Sequence, residues 1–116
     1  MMKNLSISLA VIGLAACSAV KIPAERLERS ESSIRGAEEV GAANVPAAKL
    51  HLQLAKDQTI AAKKMAENGD ERALLVLSRA ESDADLALAL TREATVHADA
   101  QKATEDLKAV QSRGTP

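Results

Sequence analysis

Apolar residues recur at helical spacing through most of the chain after residue 22. A first helix is predicted from Pro23 to about Val40, because Pro23 suits the first turn of a helix. Its apolar face is short, and at the 3.6-residue period it consists of Leu27, Ile34 and Ala37. Gly41 favours a helix end in the left-handed conformation. A break is therefore predicted at residues 41–46.

A second helix is predicted from Pro46 to about Glu67, with Asn44 as its cap. It carries two apolar stripes at helical spacing. The larger stripe consists of Ala47, Leu50, Leu54, Ala61 and Met65, and the smaller one of Ala48, Leu52, Ala55, Ala62 and Ala66. Two such stripes predict a helix that packs between two neighbours.

Asn68-Gly69-Asp70 is the strongest turn signal in the chain, since Gly69 can end one helix and Asp70 can cap the next. So short a link predicts an antiparallel hairpin. The third helix is predicted from Glu71 to Arg113 as one continuous helix of about 40 residues, nearly twice as long as the second. Its first half can pack on the second helix through Leu74, Leu77, Ala80, Ala84, Ala87 and Leu88. The fold class is therefore all-α, a three-helix up-down-up arrangement built on a hairpin.

The second half of the third helix extends past its neighbours but keeps an apolar seam. The seam has steps of four, three, four and three residues, and it consists of Val96, Ala100, Ala103, Leu107 and Val110. This spacing is typical of a coiled coil. It predicts that the seam binds a second copy of the chain in a homo-oligomer, or a helical partner protein. The alternatives are that this end of the helix is solvated, or that the helix bends back near Thr91-Arg92.

The N-terminal segment has the pattern of a secretory signal, with Lys3, a short apolar run and small residues before a cleavage site. The run from Leu5 to Ala16 has 12 residues, whereas a membrane-spanning helix needs about 20. Leu14-Ala15-Ala16-Cys17 resembles the lipobox of bacterial lipoproteins. That resemblance implies cleavage between Ala16 and Cys17, lipidation of Cys17 and, because Ser18 follows, sorting to the outer membrane with the protein facing the periplasm.

Composition narrows the classes of function. The whole chain has a net charge of −1, and removal of residues 1–16 takes away one positive charge and no acid, which leaves about −2. This charge argues against nucleic-acid binding. The chain has no aromatic residue, and aromatic side chains line most small-molecule pockets. Alanine accounts for 24 of its 116 residues, which favours closely packed helices of low stability.

We find no catalytic, metal or cofactor motif in the sequence. The histidines are His51 and His97. Glu93 and His97 share a helix face, but a metal site needs three or four ligands, so we interpret them as a solvated pair. The sequence therefore predicts a protein without catalytic activity.

Residues 61–73 read A-A-K-K-M-A-E-N-G-D-E-R-A, and Leu77-Ser78-Arg79-Ala80-Glu81 and Ala84-Asp85-Leu86-Ala87 follow. This pattern resembles a family of short, alanine-rich bacterial lipoprotein domains of unknown function, over about residues 22–100. In longer relatives the helical domain precedes an OmpA-like domain that binds peptidoglycan. Residues 1–116 contain no such segment, so peptidoglycan binding is not carried over. The chain is also similar to small murein lipoproteins, but the Gly69-Asp70 break and the final Pro116 argue against their covalent attachment to the cell wall.

The predicted organisation is a signal peptide at residues 1–16, a lipidated tether at 17–22, a helical domain at 23–112 and a frayed tail at 113–116. The predicted function is that of a lipid-anchored structural or adaptor protein, held in the membrane through Cys17. The alternative is a small ligand-binding or enzyme-accessory lipoprotein with a groove between its helices. Peptide binding of the tetratricopeptide type is a third possibility, although such folds need about three repeats.

Overall fold

The structure, a computed structural model, describes residues 19–114. Three helices make up this part of the chain: α1 spans Ala24–Glu39, α2 spans Pro46–Glu67 and α3 spans Ala73–Gly114, with a 3₁₀ turn at Ala42–Asn44 between α1 and α2. The all-α prediction with a long C-terminal helix is confirmed. The predicted signal peptide, the cleavage position at Ala16 and the lipidation site at Cys17 lie outside the described residues.

A Schellman motif ends α2 at the predicted turn. Gly69 has a left-handed φ of 75°. Its N–H donates to the carbonyl of Ala66 at 3.0 Å, and the N–H of Asp70 donates to the carbonyl of Met65 at 2.9 Å. This pattern satisfies carbonyls that a helix end leaves without partners. The Asp70 carboxylate then accepts the N–H of Arg72 at 3.0 Å. Because α3 begins at Ala73 and not at the predicted Glu71, this bond lies in the turn ahead of the helix, and Asp70 as the cap of α3 is wrong.

The start of α2 differs from the prediction in one respect. Asn44 as the cap is wrong: it is the last residue of the 3₁₀ turn, and Val45 occupies the cap position without a side-chain hydrogen bond. Pro46 is the first helical residue, as predicted. Proline has no N–H to satisfy and a φ already suited to a helix, so α2 begins here without a polar cap.

Small residues spaced three and four positions apart form the interface between α2 and α3. The buried residues are Ala48, Leu52, Ala55, Thr59, Ala62 and Ala66 on α2, and Ala73, Leu77, Ala80, Ala84, Ala87 and Thr91 on α3. Both sets repeat every seven residues, so each forms one narrow stripe along its helix. Alanine side chains let two helices approach toward the lower end of the usual spacing of about 8–10 Å.

The larger of the two stripes predicted on α2 is not the buried one. Leu50 and Leu54 are exposed, whereas the smaller stripe, completed by Thr59, packs on α3. The prediction that α2 packs between two neighbours is confirmed, since α2 contacts both α1 and α3, but the larger stripe does not face either of them. The physical reason is that α1 buries few residues, namely Ser30, Ile34 and Ala37. So narrow a face cannot cover a second row of leucines on α2.

Polar contacts hold α1 against the other two helices. In the interior, the hydroxyls of Ser30 and Thr59 are 2.9 Å apart. Ion pairs surround this contact at the edges of the bundle, between Arg26 and Glu81 at 2.9 Å, between Glu31 and Lys63 at 2.6 Å, and between Glu38 and Lys56. The α1–α2 pairs join earlier residues of α1 to later residues of α2. This order shows that the two helices are antiparallel.

The described chain begins beside the turn between α2 and α3. The N–H of Val20 donates to the carbonyl of Ala66 at 3.1 Å. The first described residues therefore lie at the end of the bundle where Gly69 lies. Both α1 and α3 run away from that end, so the C-terminal part of α3 points away from it.

The third helix is continuous over 42 residues, which makes it about 63 Å long at 1.5 Å per residue. The second helix has 22 residues. From Arg92 to Gly114 every residue of α3 is exposed apart from the half-buried Ala94. The prediction that α3 extends beyond its neighbours is confirmed. The helix includes Arg113 and Gly114, so the prediction of a frayed tail at these two residues is wrong.

Candidate interaction surface on α3

The seam predicted on the second half of α3 is open to solvent. Val96, Leu107 and Val110 are 67%, 58% and 66% exposed. Ala100 and Ala103 between them are also exposed. The five residues thus form a surface on the extended part of the helix, at steps of four and three residues.

The seam lies on the side of α3 that faces away from α1 and α2. At 100° per residue it is turned about 140° around the helix from the buried stripe of Leu77, Ala84 and Thr91. Continued past Thr91 at the same spacing, the buried stripe passes the half-buried Ala94 and the exposed Ala98 and then reaches Gln101 and Glu105, which are polar and exposed. The seam is therefore a separate apolar face and does not prolong the core of the bundle.

This seam is part of a longer feature, which we call the outer stripe. Steps of three and four residues continue from Val96 back toward the start of α3. The outer stripe consists of Leu75, Ser82, Leu86, Ala89, Val96, Ala100, Ala103, Leu107 and Val110. Arg79 and Glu93 interrupt it at the same spacing. All the large hydrophobic residues of α3 that are well exposed lie on it, namely Leu75, Leu86, Val96, Leu107 and Val110.

Leu75, Leu86 and Ala89 were not predicted as members of this surface. The first half of α3 was predicted to pack on α2, and no second face was predicted there. The signal was present, because Leu86 and Ala89 continue the seam at the same steps. Two faces of one helix, each repeating every seven residues, are what a helix between two partners shows.

Charged residues follow one edge of the outer stripe. They recur every seven residues with the signs minus, plus, minus, minus and plus, and all are exposed: Asp85, Arg92, Asp99, Asp106 and Arg113. The opposite edge over the extended part carries His97, Thr104 and Gln111. Residues at these two flanking positions select the partner and the orientation in coiled coils.

The two histidines take part in side-chain pairs of different kinds. Nδ1 of His51 lies 2.7 Å from Oδ1 of Asp83, and Nε2 of Gln58 donates to Oδ2 of Asp83 at 2.8 Å. Both carboxylate oxygens of Asp83 therefore join α3 to α2. On the extended part of α3, Nε2 of His97 lies 3.7 Å from Oε1 of Glu93, and both side chains are well exposed. Within residues 19–114 no group of three or more potential metal ligands is found.

An open apolar groove lies at the step where α1 ends and α3 continues. Its volume is about 460 Å³, and it is lined by Val40, Thr91, Arg92, Thr95 and Val96. It lies between the end of α1 and α3 and has no lining residue from α2, whereas the predicted groove lay between all three helices. It adjoins the outer stripe at Val96, so a partner that binds the outer stripe would also contact α3 where α1 ends.

None of the helices in residues 19–114 combines the length and the apolar character that crossing a membrane requires. Comparison of the chain with models of known protein families, with curated proteins and with solved structures gives no match. The resemblance to alanine-rich lipoprotein domains therefore stays a prediction from the sequence.

Proposed function

We propose that this chain is a lipid-anchored helical protein of the bacterial cell envelope with a structural or adaptor role, in which α3 presents the interaction surface. The observation that carries the proposal is the exposed outer stripe on a helix that extends beyond its bundle. Large exposed apolar residues grouped on one face and bordered by polar residues mark an interaction site in a folded protein. The heptad spacing of this face suits a helical partner.

The lipid anchor rests on the sequence Leu14-Ala15-Ala16-Cys17. Several acyl chains on one cysteine give stable attachment, since a single chain binds a membrane only marginally. Val20 meets Ala66 at the hairpin end, so an anchor at Cys17 leaves the extended part of α3 on the far side of the bundle. The outer stripe would then face the periplasm, where a partner can reach it.

Replacement of the cysteine tests the anchor. The Cys17→Ser variant should move from the membrane fraction to the soluble fraction and should lose incorporation of labelled palmitate. A Ser18→Asp variant is the matched control, since it should keep the label and change only which membrane the protein is sorted to. If Cys17→Ser stays in the membrane fraction and neither form takes up label, the anchor is disproved.

The groove lined by Val40 and Val96 favours one alternative, binding of a small apolar ligand. A ligand that binds the folded state raises the melting temperature by mass action. Screening of small envelope metabolites by thermal shift, with Val40→Asp as the control, would detect this activity. A shift that Val40→Asp abolishes would favour the alternative over the adaptor role.

A further inference from the structure

We infer that the occupant of the outer stripe is a second copy of this chain, which packs antiparallel so that Val96 of one copy lies against Ala100 of the other. The inference rests on the proposed interaction role of α3, and it does not depend on the lipid anchor. Three observations carry it: the apolar layers, the charges beside them and the side of α3 on which they lie.

The apolar layers match in this alignment. Leu86 meets Val110 of the second copy, Ala89 meets Leu107, and Val96 meets Ala100. Large residues therefore face small or medium ones, which lets the layers interdigitate. Glu93 meets Ala103 of the second copy, whose small side chain leaves the carboxylate a path to water.

The charges beside the stripe match in the same alignment. In an antiparallel coiled coil the residues along one edge of each helix face the same edge of the other helix. Arg92 then lies beside Asp106 of the second copy, and Asp85 lies beside Arg113. Twofold symmetry makes each of these ion pairs twice. Asp99 meets its own counterpart, which gives one unfavourable contact against four favourable ones.

Other alignments lose this match. Shifted by seven residues in one direction, Arg92 faces Asp99 of the second copy but Asp85 faces Asp106, so the favourable and unfavourable pairs are equal in number. Shifted in the other direction, Arg92 faces Arg113 and Asp99 faces Asp106. In a parallel pair, Glu93 faces its own counterpart inside the apolar seam. Like charges placed opposite each other suppress wrong pairings, so the sequence along this edge selects one orientation and one register.

The bundle leaves room for this pairing. The outer stripe lies on the side of α3 away from α1 and α2, and Asp85, Leu86 and Arg92 are exposed although they lie beside the bundle. A second helix can therefore follow α3 from residue 86 to residue 110, an overlap of about 37 Å at 1.5 Å per residue.

Cysteine crosslinking of the full chain tests the orientation. The two copies of residue 99 lie on either side of the twofold axis of the antiparallel pair and close to it. The two copies of residue 103 are separated by about 15 Å along the direction of the helices. The Asp99→Cys variant should therefore form a crosslinked dimer and Ala103→Cys should not, with the parent chain showing the background from Cys17. Crosslinking of Ala103→Cys alone would show a parallel pair. Crosslinking of neither variant would overturn the inference and leave the adaptor role to a different protein.

A charge exchange tests the register. Arg92→Glu alone and Asp106→Arg alone should each weaken the dimer by about tenfold, because each converts two attractive pairs into repulsive ones. The two substitutions together should restore the dimer to near its original affinity. Lys108→Glu, an exposed charge away from the stripe, is the control and should change the affinity by less than about threefold. Sedimentation equilibrium of the full chain in detergent measures all four, and a combined variant as weak as the single ones would overturn the inference.

Discussion

Ser30 on α1 and Thr59 on α2 share a hydrogen bond of 2.9 Å between their hydroxyls, inside a core made mostly of alanine. Thr59 also donates its hydroxyl hydrogen to the carbonyl of Ala55 at 2.8 Å. With that hydrogen already used, the Ser30 hydroxyl is the donor and the Thr59 oxygen is the acceptor. The contact is the polar link between α1 and α2 at the centre of the bundle.

This pair gives a first prediction about stability. Thr59→Val keeps the shape of the side chain but leaves the buried Ser30 hydroxyl without its acceptor, so the free energy of unfolding should fall by about 1–3 kcal/mol. Ser30→Ala should cost about 1 kcal/mol. The double variant should cost less than the sum of the two, because it leaves no hydroxyl unpaired. Urea unfolding followed by helical circular dichroism measures these values, with the exposed Ser32→Ala as the control, and additive costs would contradict the coupling.

The close approach of α2 and α3 gives a second prediction. Ala84 is fully buried in their interface. Ala84→Leu should therefore lower the free energy of unfolding by about 1–3 kcal/mol despite the added apolar surface, since a larger side chain forces the helices apart. Ala98→Leu makes the same chemical change at an exposed position of α3 and should be nearly neutral. A stabilising Ala84→Leu, in the same urea assay, would show that the helices do not pack closely.

The ion pair between Glu31 and Lys63 gives a prediction about pH. The hydrogen bond from Lys63 lowers the pKa of Glu31 below its ordinary value of 4.5, the charges of Lys63 and Arg35 act in the same direction, and partial burial opposes them. A carboxyl whose folded pKa is lowered stabilises the fold above its unfolded pKa, and this contribution is lost as the pH falls through the folded pKa. Both side chains are more than a third exposed, so solvent screens the pair and its contribution should be about 0.2–1 kcal/mol.

The measurement compares the parent chain with Glu31→Gln in urea at neutral pH and at successively lower pH. The difference in stability should persist down to about 4.5, the ordinary value, and disappear below it. Glu28→Gln, exposed on the same helix, should give a smaller difference. A Glu31 difference that grows in acid would have the wrong sign for this mechanism.

The break after α1 and the turn after α2 could be predicted from the sequence because local residues determine them. Gly41 and Gly69 adopt left-handed conformations that favour glycine, and Pro46 begins α2. The face that α2 buries could not be predicted in this way, since the stripe with the larger apolar residues is not the one that packs. The choice depends on which stripe fits closely against α3, and alanines at Ala55 and Ala62 fit where leucines at Leu50 and Leu54 do not.

Only the C-terminal part of the candidate surface could be predicted from the sequence. The seam from Val96 to Val110 is visible in the sequence because no other face of α3 competes with it there. Near Leu75 and Leu86 the outer stripe and the packed stripe of α3 occur in the same segment with the same spacing. The periodicity of apolar residues alone therefore does not separate the two faces. The side-chain pairing of His51 with Asp83 joins residues far apart in the sequence, so only the packing of α2 on α3 reveals it.

The alanine interface has a consequence for how this bundle responds to temperature. The heat capacity change on unfolding grows with the apolar surface that becomes exposed. Most buried positions between α2 and α3 are alanines, with Leu52 and Leu77 as the large exceptions, so little apolar surface is exposed on unfolding. The curve of stability against temperature should therefore be shallow, and warming should loosen the bundle gradually over a wide range.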